Sequence, residues 1–254
     1  MFNIITMPPL TQIMGVYIKY PANQKYYKKL SFEKEVMTQL IDALPKFDYF
    51  SQNFDKKISN WLPFCWKGFE QTTRYTYLLE DLTFQDLEKK LENDVRRRCR
   101  KGTEAGLFVL ESEDIEKFYE INSLTFLRKG NKIPYSFDFV KKLYEVCKIH
   151  NSVKIYFAVK DDTVMAVNFL IYDQNTVYYL MGGIHPAYKD LGGMDLVLVQ
   201  SIRFALESGL VFDFEGSMVE SIEKYFRSFG AIQKPYFSIK KTNSLILKTR
   251  NLFV

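Results

Sequence analysis

Apolar residues recur along this chain with two different periods, and the change between them marks how it is organised. From residue 153 the runs VKIYFAVK, VMAVNFLIY and TVYYLMGG are β-branched and aromatic, with Asp161-Asp162 and Asp173-Gln174-Asn175 between them. Strand-forming runs joined by turn residues predict an antiparallel meander. Upstream the spacing is helical. Residues 31–44 read as a helix capped by Ser31, with Lys34, Glu35 and Gln39 toward water. Thr83 caps a helix running to about residue 102, its Leu87, Leu91 and Val95 at steps of four. Ser112 opens a helix through residue 127 that buries Ile115, Phe118, Tyr119 and Ile121, and Ser136 caps one over 137–149. Strands are expected at 13–19, 49–54, 71–79 and 108–110. After the meander, the loop IHPAYKDLGG leads to an almost wholly apolar helix over 194–206. The strand LVFDFEG, a helix over 219–229 and the strand PYFSIKK come next. Gly209 and Gly230 stand where helix stops need a left-handed residue. The pattern predicts a mixed α/β protein.

Composition narrows the class. Nearly half of the 254 residues are apolar, and 22 Phe and 17 Tyr make rings the main material of the core and of any cleft. No stretch approaches the ~20 apolar residues of a bilayer span, and residues 1–9 lack a basic segment followed by an apolar one, so a cytoplasmic protein is expected. Cys65, Cys99 and Cys147 lack zinc-binding spacings, so no metal is expected; a nucleophilic cysteine needs His150 or His185 beside it. Charge is uneven. KKLENDVRRRCRK, residues 89–101, holds seven Lys or Arg against two acids, and no acid occurs after Glu223. Such zones suit a coenzyme, a nucleotide-linked precursor, tRNA or an anionic membrane surface, or are simply solvated faces.

Candidate chemistry gathers in the second half. A helix head exposes unsatisfied N–H groups and the positive end of the dipole, so Lys189, Gly192 and Gly193 before the apolar helix can cradle a diphosphate. Strand alternation puts Asp213 and Glu215 on one face, as a general base acting through water, as a seat for a cationic acceptor, or as ion-pair partners in the fold. Glu215 is the preferred base. Arg74 in a strand is hard to explain as core, and with Glu70 and Tyr77 it is a candidate for acceptor binding.

The order of three antiparallel strands, glycine-bearing loop, buried helix, strand, helix and strand is similar to the catalytic half of GNAT-superfold acyltransferases, and KDLGG resembles their pyrophosphate loop. VFDFEGSMVESIEKYFRSFGAIQKPYFSIKK resembles the C-terminal part of Fem-like aminoacyltransferases, with Phe226-Arg227 and Phe229-Gly230 standing for the family's Phe-Lys and Phe-Gly. PPLTQIMG, GFEQTTRYTY and NDVRRRCRKGTEAG resemble segments of that group's first unit. The resemblance implies two GNAT-like units, an abbreviated first over 1–111 and a complete second over 112–254. Either the first unit is short or the start shown is not that of the full product. It implies transfer of an acyl group from acetyl-CoA or another acyl-CoA to a primary amine. Strands would part at Gly182 and Gly183 to admit the acyl arm, Tyr225 or Tyr236 would protonate the leaving group, and Arg227 would steady negative charge. Aminoacyl-tRNA is the alternative donor, with a cell-wall precursor as acceptor and Arg96 to Lys101 holding RNA; a non-catalytic binding module is the third reading.

Overall fold

The structure, a computed structural model, describes residues 1–128 and 130–251. In chain order it begins with β1 (Ile4–Ile5), α1 (Tyr26–Asp42), β2 (Tyr49–Asn53), α2 (Leu62–Trp66) and β3 (Glu70–Leu79). Next come α3 (Phe84–Lys90), α4 (Asn93–Glu104), β4 (Phe108–Glu111), α5 (Ile115–Leu127) and α6 (Phe137–Ile149). The meander and its flanking helix are β5 (Val153–Lys160), β6 (Thr163–Tyr172), β7 (Thr176–Ile184), a 3-10 turn (Pro186–Leu191), α7 (Gly193–Glu207) and β8 (Val211–Asp213). The last elements are α8 (Glu220–Arg227), β9 (Ile232–Thr242) and α9 (Leu245–Asn251).

Two compact units are present, one of Met1–Tyr75 with Lys234–Val254 and one of Thr76–Gln233. They part elsewhere than the division at residue 111 that the resemblance implies. The reason is pairing: β4 lies antiparallel to β5 from Phe108↔Val159 to Glu111↔Tyr156, and α4 packs on α7, so residues 76–111 fold with the meander and α7.

In the first unit β2 pairs in parallel with β1 and antiparallel with β9. Its core is a set of edge-on rings, with Phe54–Phe64, Phe64–Phe69 and Phe50–Phe69 centroids 5.0, 5.2 and 5.3 Å apart, around buried Met37 and Ile239. The strand expected over 13–19 is reduced to a single bridge, Met14↔Phe54. Gly15 turns the chain there at φ +74°, so close to Phe54 that a Cβ would lie 2.6 Å from its ring. Helix α1 starts at Tyr26 rather than Ser31, since nothing in YYKKL stops a helix, and the Ser31 hydroxyl donates to the Tyr27 carbonyl within it.

The second unit runs β3, β8, β7, β6, β5, β4 across its sheet, antiparallel except for β7 with β8. The meander is present as expected. One face of the sheet carries α7. The other carries α5 and α6, with the Phe118 and Tyr144 rings against Phe169. The single helix expected over 83–102 is two. Thr83 caps α3 in a full capping box with Asp86, but the chain turns extended at Leu91, where the Glu92 N–H donates to the Ser228 carbonyl and Arg96 donates to the Lys89 and Leu91 carbonyls. Asp114, not Ser112, caps α5. Ser136 caps α6 by accepting from the Phe139 N–H. Replacing Ser136 with Ala orphans that donor and is expected to cost about 1 kcal/mol, read as a lower urea midpoint at unchanged slope.

Candidate functional site: the split between two parallel strands

Strands β7 and β8 are paired over three residues only, from Thr176↔Val211 to Tyr178↔Asp213, while β7 runs on to Ile184. Opposite β6 the register shifts: Phe169 faces Met181 and Leu170 faces Tyr179, which leaves Leu180 as an extra residue. A bulge of this kind bends its strand and ends pairing on the far side. The parting therefore occurs after Tyr178, not at Gly182 and Gly183. Those two glycines serve close packing. A Cβ at Gly182 would lie 2.0 Å from the Tyr179 hydroxyl, and one at Gly183 would lie 2.5 Å from Cα of Asn122 on α5. Asn122 Nδ2 donates to the Gly182 carbonyl at 2.8 Å, and the Tyr135 hydroxyl donates to Asn122 Oδ1 at 2.8 Å, so the freed edge of β7 is held by α5.

At the mouth of the split stand the two carboxylates. Fully buried Asp213 accepts from the Thr76 hydroxyl and from the Glu215 N–H, the latter at 2.8 Å. Strand alternation does not bring Glu215 to it. β8 ends at Asp213, and Glu215 (φ +57°) and Gly216 (φ +67°) both take left-handed backbone, which folds the glutamate back beside the aspartate. Burial first, and the charge of Asp213 second, push the Glu215 carboxyl up to about 8. A left-handed glutamate with a raised pKa is a costly arrangement of the kind found at working sites.

The other expected residues are distributed apart from this pair. Leu78 pairs with Asp213 and so shares its face, which leaves Tyr77 on the opposite one. There the Tyr77 hydroxyl accepts from Gln233 Nε2 at 2.6 Å and its acidity is weakened by burial, while exposed Arg227 donates to Glu223 at 3.0 Å. Arg227 and Tyr77 are therefore gathered with α8, across the sheet from Asp213. Tyr225 is also on the α8 side, its hydroxyl 3.3 Å from Asp195 and its proton held far more tightly than in water by burial and that carboxylate. Tyr236 is buried in the first unit, and Glu70 and Arg74 lie exposed on the first half of β3. Burial raises Cys99 to about 12 and also raises Cys147, so neither of these is a poised thiolate; Cys65 is exposed on α2.

The glycine turn before α7 packs closely against α4. Gly192 and Gly193 are buried; a Cβ at Gly192 would lie 2.1 Å from the Arg98 carbonyl oxygen, and one at Gly193 would touch Ala158, Ala166 and Leu107. Buried Asp195 places its own carboxylate in the first turn of α7, where an incoming anion would meet like charge. The cations that would offset this are engaged. Arg98 donates to both Asp195 oxygens at 2.9–3.0 Å and Lys101, though exposed, donates to the Asp190 carbonyl at 2.8 Å; Lys189 is exposed as well. The rest of the basic run on α4 faces solvent: Arg96 caps carbonyls, and Arg97 and Arg100 form exposed pairs with Asp94 and Glu104 along the helix. Sequence reading missed the Arg98–Asp195 clasp, although an aspartate in an otherwise apolar helix is a signal that it has a buried partner.

A protein with this split, meander and α7 has the acyltransferase architecture of the GNAT superfold. The family model for the acetyltransferase (GNAT) domain matches residues 89–227, more than half of the chain, and the chain belongs to that family. Among solved structures it is similar to FemX, at 12% identity over 84% of this chain and 77% of the other, with a TM-score of 0.66. L-PGS from Bacillus licheniformis matches at 12% identity over 79% and 69%, TM-score 0.54. The C-terminal domain of a protein assigned as a lysylphosphatidylglycerol synthetase from Agrobacterium fabrum matches at 13% over 75% and 66%, TM-score 0.53. These likenesses show a shared fold. Comparison with curated proteins gives no match.

Proposed function

We propose that this chain transfers an acyl or aminoacyl group to a primary amine at the split between β7 and β8, with Glu215 as general base. The observation that carries the reading is the Glu215 carboxyl itself: raised to about 8, bent inward on left-handed backbone, and placed just past the last β7–β8 pair. An amine acceptor arrives protonated and must lose a proton to become a nucleophile, and a base near the working pH takes it most effectively. In this reading the ionised carboxylate, directly or through one water, takes the proton the ammonium sheds; the carbon–nitrogen bond then forms as the bond from the acyl carbon to its carrier breaks, and the second amine proton passes to the departing carrier atom. Thr76 and the Glu215 N–H hold Asp213 in place, so that its charge adds to burial in weakening the acid beside it.

The closed turn before α7 bears on the donor. A carrier gripped by its diphosphate at that point is disfavoured by Asp195 and by the packing of α4 on Gly192, which supports the aminoacyl ester of the Fem-like reading over coenzyme A. Titrating the protein with acetyl-CoA and with aminoacyl-tRNA while following thermal stability separates the two. We expect the melting temperature to rise with the charged tRNA and to stay within error with acetyl-CoA. A saturable rise with acetyl-CoA alone, abolished by Lys189→Ala, reverses the donor assignment and leaves the role of Glu215 standing.

A further inference from the structure

We propose that the face of the first unit formed by residues 17–34 and the turn at 55–58 docks onto an anionic phospholipid surface. Residues 17–34 contain five Lys and four Tyr against one acid, and no Arg occurs before Arg74. The rings point outward: Tyr17 is 90% exposed, Tyr26 75%, Tyr27 59% and Trp66, beside α1, 60%. Lysines interleave with them, Lys29 lying 4.4 Å from the Tyr20 ring centroid, Lys34 5.2 Å from Trp66 and Lys28 5.6 Å from Tyr27. The lone acid of the segment, Glu33, is buried and turned inward, accepting from the Tyr20 hydroxyl at 2.8 Å and from Asn60 at 2.9 Å. Glu35 and Asp55 are the other acids nearby.

Two further features say what the face takes. Helix α1 has no acid in its first turn and no side-chain cap, yet Lys25, Lys28 and Lys29 sit at that positive end; an external anion layer offsets the repulsion. Behind Tyr17 lies a cavity of about 410 Å³, walled by Met14, Val16, Ile18 and Ile58, with Lys29, Lys57 and one acid, Asp55, also lining it. Hydrocarbon beside Lys29 and Lys57 matches an acyl chain under its phosphate headgroup, and exposed Tyr and Trp suit the interfacial layer. A nucleic acid offers no hydrocarbon to fill that cavity, and its phosphates are commonly met by the bidentate guanidinium that this face lacks.

The test is co-sedimentation of the full chain with vesicles of phosphatidylcholine alone and of phosphatidylcholine with phosphatidylglycerol, at low and high salt. Binding is expected to the anionic vesicles only and to weaken with salt. Lys25→Ala, Lys28→Ala and Lys34→Ala combined should lose about fivefold in partitioning per lysine. Tyr26→Ser with Tyr27→Ser should weaken binding at unchanged charge. All these side chains are exposed, so melting temperatures and transfer to a soluble amine should match wild type, and Glu215→Gln should still sediment. Equal binding to both vesicles, no binding to either, or a triple variant that sediments like wild type overturns the proposal. So does a protein that ignores vesicles but binds tRNA through these lysines.

Discussion

Glu215→Gln is expected to lower kcat by about 10²- to 10⁴-fold while leaving the fold intact, because the amide keeps the volume and cannot accept the acceptor's proton. The pH profile of the wild type should carry the signature. Activity rises as pH climbs through about 8, where the carboxyl ionises, and the variant's residual activity lacks that step. Stability should move the other way. The folded pKa is raised above the unfolded value, so the contribution of Glu215 is fully present below about pH 4.5 and is lost progressively as pH rises through about 8. Above pH 8 the wild type holds a buried anion beside Asp213, and the glutamine does not. The variant should therefore be the more stable protein there, by about 2–4 kcal/mol in urea unfolding, and should lose that advantage near pH 4. A variant with wild-type kcat, or one no more stable at pH 9, refutes the assignment.

Asp195→Ala is expected to cost about 3–5 kcal/mol, because it leaves the Arg98 guanidinium half-buried with no counter-charge and Tyr225 with no acceptor. The loss should appear as a melting temperature lower by about 10 °C. Replacing both partners together, Arg98→Met with Asp195→Leu, should recover much of it, since no unpaired charge then remains inside. Were the helix head an open anion seat instead, removing the carboxylate would relieve repulsion and sulfate would stabilise the alanine variant. A rise in melting temperature with sulfate for Asp195→Ala but not for wild type is the result that contradicts the closed turn.

Both predictions concern residues whose chemistry was visible in the chain and whose arrangement was not. The strand meander, the capping roles of Thr83 and Ser136 and the helix stops at Gly209 and Gly230 were legible because each depends on neighbours within a few residues. The break between α3 and α4 was not, since nothing in LENDV forbids a helix; the partner that receives the Glu92 N–H is Ser228, far along the chain. Asp213 and Glu215 stood out as two acids at a strand end, yet alternation was the wrong reason for their proximity: the backbone turns left-handed at Glu215.

Sequence alone determined the class of fold and the kinds of side chain available, because period, turn chemistry and capping act locally and add along the chain. Tertiary packing decided which of them work together. The bulge at Leu180 opens the split, Asp213 and burial raise Glu215, and α4 closes on Gly192 through Arg98. Each of these depends on groups brought together from distant segments, where desolvation and close approach set the energies, and neither quantity is written in the order of residues.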